Sequence, residues 1–420
     1  MNFIKQIISI TFCTAIFSTC AFSNGTNENW LKAPALKDAY KGKIEHIGMS
    51  VQYIAWPSQK HELASPKILQ GLEKHFTSIT MGNEFKPDSI LGTYTKGVPQ
   101  SFEDFTDSFG TTIKVPKNHL QFDIVDKCLT ACKEHNLKMR GHVLVWYSQT
   151  PDWFFKEDYN SSKKLVDKKT MTARQEWYIK SVLSHIAEWE KQNNNNERLI
   201  YCWDVVNEAA DDSGTQLRAA NNHWHMIYES DEYIINAFRF ANKYAPKEVL
   251  LAYNDYNECM YNKRNMILKI LKSIISHKDD DFLPTRIDVM GMQSHNKYAN
   301  PLFSDYENAI KKYLATGLDI HITELDIGAK TKQDADDAEK LKQAYKDSYN
   351  LYLKYAKTNE KNGISSVTIW GLTDDETWLN SESQQPWLNF VKQYPLLFTK
   401  NHKTKPAFYG VLEAGNEYNK

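Results

Sequence analysis

Trp203-Asp204-Val205-Val206-Asn207-Glu208 is the stretch whose reading decides the fold. Tyr201 to Val206 is apolar and β-branched apart from one Asp, which reads as a short buried strand. It runs into Asn207 and Glu208 and then into the turn-forming Asp211-Asp212-Ser213-Gly214. A carboxylate placed where a buried strand opens into a loop is half-shielded from water. That raises its pKa and suits it to giving up a proton near neutrality. Ile320-His321-Ile322-Thr323-Glu324-Leu325-Asp326 repeats the design, an apolar strand ending on a Glu. Taken singly, each is equally well a strand-end acid on a soluble surface.

Outward from these two stretches a rhythm appears. Apolar strand patterns recur at Ile47–Val51, His75–Met81, Lys138–Trp146, Tyr201–Val206, Val249–Tyr253, Asp288–Met292, Asp319–Thr323 and Val367–Trp370. Helical patterns follow them at Ser65–Lys74, Phe122–His135, Thr172–Glu190, Glu232–Tyr244, Tyr261–Ser276, Tyr306–Leu314, Ala335–Lys357 and Pro406–Ala414. Eight strands, each followed by a helix, predict an α/β fold whose parallel sheet closes into a (β/α)8 TIM barrel. Long loops at Trp56–His61, Asp88–Leu120 and Gly371–Pro406 fall on the face where barrels carry chemistry. The Asn193–Asn196 run falls on the opposite face. With no linker or internal repeat, a single catalytic domain is expected over 24–420.

The 420 residues carry 51 basic and 52 acidic side chains, a formal net charge of −1, which gives no electrostatic case for nucleic acid or an acidic membrane. Twenty-three Tyr, 19 Phe and 11 Trp supply a large core and surplus faces for a neutral partner. At the N-terminus, Lys5, an apolar run from Ile7 to Phe17 and Ala21-Phe22-Ser23 read as a signal peptide over 1–23. The run is too short to span a bilayer, so there is no transmembrane segment here and export is expected, with lipid anchoring at Cys20 the alternative. Beyond the leader lie Cys128, Cys132, Cys202 and Cys259, too few for a disulfide framework. Cys128 and Cys132 share a helix face and either bridge with strain or pack as small apolar groups. His223-Trp224-His225 reads as a helix start and Asp279-Asp280-Asp281 as a solvated loop, so no metal site is expected.

Barrel geometry brings the two glutamates together. If Glu208 ends the fourth strand and Glu324 the seventh, they face each other across the carboxyl-terminal mouth. Two carboxylates flanking one cleft are what hydrolysis of a glycosidic bond requires. Other strand ends agree: Asn83, Glu84 and Lys86 after the second, His142 and Trp146 on the third, Asn254-Asp255-Tyr256-Asn257 after the fifth. Gln293 and His295 follow the sixth, and Trp370 and Trp378 the eighth. Amides and a lysine suit sugar hydroxyls, and indoles suit ring faces.

Trp203–Glu208 together with Ile322-Thr323-Glu324-Leu325-Asp326 resembles the signature pair of glycoside hydrolase family ten, the retaining endo-β-1,4-xylanases. The likeness extends through Gly141–Gln149 with Pro151 and Trp153, Asn254–Asn257, Gln293–His295, and Thr368–Asp375 with Trp378. The resemblance implies Glu208 as general acid/base, Glu324 as nucleophile and His295 as the nucleophile's hydrogen-bond partner. It implies Asn207, His142, Gln293 and Trp378 around the −1 sugar, Asn83 and Lys86 at −2, and Tyr256 toward the aglycone. Xylan or a xylo-oligosaccharide is the expected partner of a secreted monomer, with no cofactor. Two positions depart from the family pattern. Gly82 stands where a Glu is expected, leaving −2 binding to depend on whether Glu84 compensates. Tyr147 replaces a His. Rival readings are an exo-acting or aryl-β-xylosidase, a β-1,4-glucanase and a non-catalytic carbohydrate-binding barrel.

Overall fold

The β-branched runs form eight parallel strands: β1 His46–Val51, β2 Ser78–Met81, β3 Lys138–Trp146, β4 Ile200–Asn207, β5 Leu250–Asp255, β6 Val289–Met292, β7 Asp319–Gly328 and β8 Ile364–Ile369. The structure is a computed structural model and describes residues 29–53, 62–93, 95–298 and 300–418. Each strand pairs with the next in parallel, and β8 closes the barrel by pairing with both β7 and β1, His46 lying opposite Ser366 and Ile47 opposite Val367. The outer ring is α1 Pro66–His75, α2 Asp123–Glu134, α3 Lys168–Asn193, α4 Glu232–Tyr244, α5 Tyr261–Ser276, α6 Phe303–Leu314, α7 Ala338–Lys354 and α8 Pro406–Glu417. This is the (β/α)8 barrel.

Helices cover the outside of the sheet and side chains fill its inside, so β1, β2 and β8 are buried at every position. Part of the filling is charged. Arg140 Nη2 lies 2.5 Å from Asp204 Oδ1, and its Nη1 is 2.7 Å from His321 Nδ1. Gly141 has to be glycine, because a Cβ there would lie 2.3 Å from the Trp203 ring.

Several sequence expectations shift. His75 ends α1 instead of opening β2, and Trp370 lies just past β8. The pattern at 335–357 is two helices, Lys332–Asp336 and α7, separated by Asp337, whose side chain accepts from Lys340 N and caps the second. The loop at 88–120 contains an antiparallel hairpin, Phe102–Thr106 with Thr112–Pro116. Asn222 caps the helix His223–Tyr228, with Trp224 buried. Cys128 and Cys132 are buried and unbridged. The leader, Cys20 and Trp56–His61 lie outside the described residues. Among the described residues no helix is long and apolar enough to cross a membrane.

Candidate active site

Glu208 is the first residue after β4 and has φ +57°, a left-handed conformation that costs a non-glycine residue energy. Its backbone is fixed on both sides: its N–H donates to Asn254 O (2.9 Å) and Arg218 Nε donates to its carbonyl (3.1 Å). Glu324 lies inside β7, which runs on to Gly328 because Asp326–Gly328 pairs with His295–Lys297. Both carboxylates line one cavity of about 880 Å³ at the carboxyl ends of the strands. A chain of amides joins them. Gln293 Nε2 donates to Glu208 Oε1 (2.9 Å) and to Asn207 Oδ1 (3.2 Å). Asn254 Nδ2 donates to that same Asn207 oxygen and to Glu324 Oε1, both at 2.9 Å.

The environments push the two acids in opposite directions. Burial raises the Glu208 pKa, and the nearby Asp255 and Glu324 charges add to it, against hydrogen bonds from Gln293 and Trp146. Burial would raise Glu324 too, but the hydrogen bond from His295 and the charges of His142 and His295 bring it below the usual carboxylate range. His295 Nε2 is 3.2 Å from Glu324 Oε2 and its Nδ1 is 3.0 Å from Asp326 Oδ2. Burial disfavours the imidazolium, yet the Asp326 and Glu324 carboxylates raise its pKa to about 10. One buried glutamate is therefore held protonated more readily than usual and the other ionised. That is the division of labour between a proton donor and a nucleophile.

Asn83, Lys86, His142, Trp146, Asn207, Tyr256, Gln293, His295, Trp370 and Trp378 all line the same cavity. Trp146 Nε1 donates to Glu208 Oε2 (3.0 Å), and His142 Nδ1 is 2.9 Å from Asp204 Oδ2. Trp378 Nε1 donates to Asp326 Oδ2 (2.7 Å) while its ring centroid sits 4.7 Å from that of His295. Lys86 Nζ donates to Gln149 Oε1 (2.8 Å) and Asn83 Oδ1 (3.2 Å). Burial lowers the Lys86 pKa to about 8, against the pull of Glu324 and Glu208. Tyr256 OH donates to Asp212 and accepts from Arg218 Nη2. Among the described residues no group of three or more His, Cys, Asp or Glu is arranged to hold a metal ion.

The two departures resolve differently. Glu84 does not stand in for the missing acid: it is buried off the cavity and accepts from Tyr53 N (2.7 Å) and Asn83 N (3.2 Å). The space a side chain at Gly82 would take is bordered by Gln52, whose Cγ is 3.2 Å from the ideal Cβ position and whose Oε1 accepts from Asn83 Nδ2 (3.4 Å). Tyr147 lines the cavity with its ring 4.4 Å from the Arg218 guanidinium carbon. Sequence reading gave no role to Asp204, Asp326, Gln149 or Trp387. Asp326 carried a signal, being two residues from Glu324 on one face of a strand. Gln149 and Trp387 carried none, since loop residues have no period.

Paired carboxylates of opposed acidity across the mouth of a (β/α)8 barrel, set among amides and indoles, define a glycoside hydrolase. A family model for glycosyl hydrolase family 10 matches residues 35–414, and the chain belongs to that family. Among its relatives, endo-1,4-beta-xylanase A of Butyrivibrio fibrisolvens is 31% identical over 428 residues, covering 98% of this chain and 90% of that protein. Endo-1,4-beta-xylanase B of the same organism is 36% identical over 90% of this chain, which spans about half (53%) of that relative's length. The crystal structure of an endo-1,4-beta-xylanase from Caldicellulosiruptor owensensis superposes with a TM-score of 0.69 at 30% identity, over 90% of this chain and 99% of that one. The CBM22-1–GH10 modules of Clostridium thermocellum xylanase 10B, complexed with xylohexaose, give 0.70 at 29% identity, over 91% of this chain and 69% of that one.

Proposed function

We propose that the chain is an endo-1,4-β-xylanase that works by double displacement. Glu324 attacks the anomeric carbon while Glu208 protonates the departing oxygen, leaving a glycosyl-enzyme ester. Glu208 then takes a proton from water, which attacks the ester and releases the sugar with its configuration retained. Esterification removes the Glu324 charge that helps raise Glu208, so the Glu208 pKa falls and its carboxylate serves as the base that the second step needs. Asn207, His142, Gln293 and Trp378 hold the −1 sugar, Asn83 and Lys86 the −2 sugar, and Tyr256 faces the aglycone. The observation that carries this reading is the opposed acidity of two buried glutamates joined through Asn207, Gln293 and Asn254. The relatives' names and the neighbour solved with xylohexaose favour xylan as the substrate. Residues 1–23 act as an export leader, placing the mature protein outside the cytoplasm as a monomer.

The test is Glu324→Ala on plain xylan, followed by reducing-sugar release, viscosity and the anomeric proton signal of the first product. The wild-type chain should drop viscosity early and release β-configured ends, while the variant folds and does not turn over. Near-normal turnover by the variant, or α-configured first products from the wild type, would refute the assignment.

A further inference from the structure

The cavity wall carries a modest excess of acid. Glu62, Glu208, Asp212, Glu324, Asp326 and Glu376 line it, with burial holding Glu62 and Glu208 toward their neutral forms, against two lysines, Lys86 and Lys297, and the His295 imidazolium. Lys86 is engaged by Gln149 and Asn83 beneath the glutamates. Lys297 has no carboxylate within ion-pair distance among the described residues. It ends the short strand His295–Lys297, directly opposite Gly328 of β7. Lys330, exposed, follows two residues beyond Gly328. Burial first, and the Lys330 charge next, hold the Lys297 pKa below the ordinary lysine range.

An aromatic ring stands on the same rim. Asn389 Nδ2 donates to Lys330 O (3.1 Å) and ties the turn Gln385–Leu388 to the segment after β7. That turn is firmly built: Leu388 is buried, and Gln385 Nε2 donates to Leu379 O (2.9 Å) and Val391 O (3.2 Å). Yet Trp387, inside the turn, lines the cavity with 72% of its surface exposed. A fixed backbone presenting a bare indole at a cleft edge is a platform for a sugar face, since nothing in the core uses the ring.

We propose that Trp387, Lys297 and Lys330 form a rim site for a carboxylate-bearing sugar branch, a uronosyl substituent on the chain held in the cleft. The inference rests on the reading of the cleft as a polysaccharide site. The indole stacks on the branch or the adjoining backbone sugar, and the two ammonium groups take the carboxylate. The remaining wall repels that charge, so the branch is oriented toward this one edge.

The experiment uses the whole chain on a glucuronoxylan and on the same polymer after chemical reduction of its carboxylates to alcohols, which removes the charge and leaves the backbone. Wild-type kcat/KM should be on the order of threefold to tenfold higher on the acidic polymer, and the ratio should shrink in about 1 M salt. Lys297→Met should bring the ratio toward one, and Trp387→Ala should lower kcat/KM on both polymers by a similar factor. A wild-type ratio at or below one, or a ratio that Lys297→Met leaves intact, overturns the charge assignment. Unchanged kcat/KM in Trp387→Ala overturns the platform. Hydrolysis of neither polymer overturns the reading of the cleft itself, and this inference falls with it.

Discussion

Asp326→Asn tests the electrostatics behind the nucleophile. His295 is carried from 6.5 to about 10, which at about 1.4 kcal/mol per pKa unit corresponds to about 5 kcal/mol in favour of the imidazolium. Asp326 and Glu324 supply that against burial, and the Asp326 charge is the larger of the two. About half or more, roughly 2–3 kcal/mol, therefore leaves with the Asp326 charge. The introduced amide still accepts from Trp378 Nε1, so the packing is kept. His295 then loses its proton about 1.5–2 pKa units lower than in the wild type, near pH 8 instead of near 10, and above that pH Glu324 loses the cation that holds its own pKa down. Turnover should fall on the order of tenfold to a hundredfold at about pH 9.5, and much less at about pH 5.5, where the ring is still charged. The assay is kcat and kcat/KM for an aryl xylobioside across pH, with the His295 ring titrated by NMR. A variant whose profile superposes on the wild type, or that loses the same factor at every pH, would refute the reasoning. Stability moves with the same group. A raised histidine pKa contributes fully below 6.5 and is lost as pH rises through about 10, so the wild type should lose Tm over that window and the variant should lose less.

Trp146→Phe removes the N–H that lowers Glu208; the alkaline limb of the kcat/KM profile should move to higher pH, with a several-fold loss in kcat. An unmoved limb would show that Trp146 does not tune the acid. Burial raises Glu258 to about 7 while its Oε1 accepts from Ser294 N and Oγ, both at 3.1 Å. A raised carboxyl loses stability as pH climbs from about 4.5 to 7, so Glu258→Gln should be near neutral at about pH 5 and stabilising by up to about 2–3 kcal/mol at about pH 8, measured by urea unfolding. Gly141→Ala drives a methyl to 2.3 Å from the Trp203 ring inside the barrel and should cost about 3 kcal/mol or more, read as a lowered Tm.

Much of the molecule is legible in the one-dimensional chain. Alternation of β-branched runs with helical periods sets the barrel, because a parallel strand needs a crossover and eight of them close. Strand-end position alone placed Glu208 and Glu324 at one mouth, along with His142, Gln293 and Trp370. The family resemblance assigns the two glutamates their roles without the physical cause, and strand order alone does not say which is the acid. That depends on Asp326 and His295 beside Glu324, and on burial with Asp255 beside Glu208, all charge effects acting through space between segments distant in sequence. Nor could it place loop residues. Gln149 beside Lys86, Gln52 beside Gly82, and Lys330 beside the Trp387 turn are neighbours only because the barrel closes. Periodicity marks which face of a strand or helix is buried, and it falls silent in the loops, where packing alone decides what meets what.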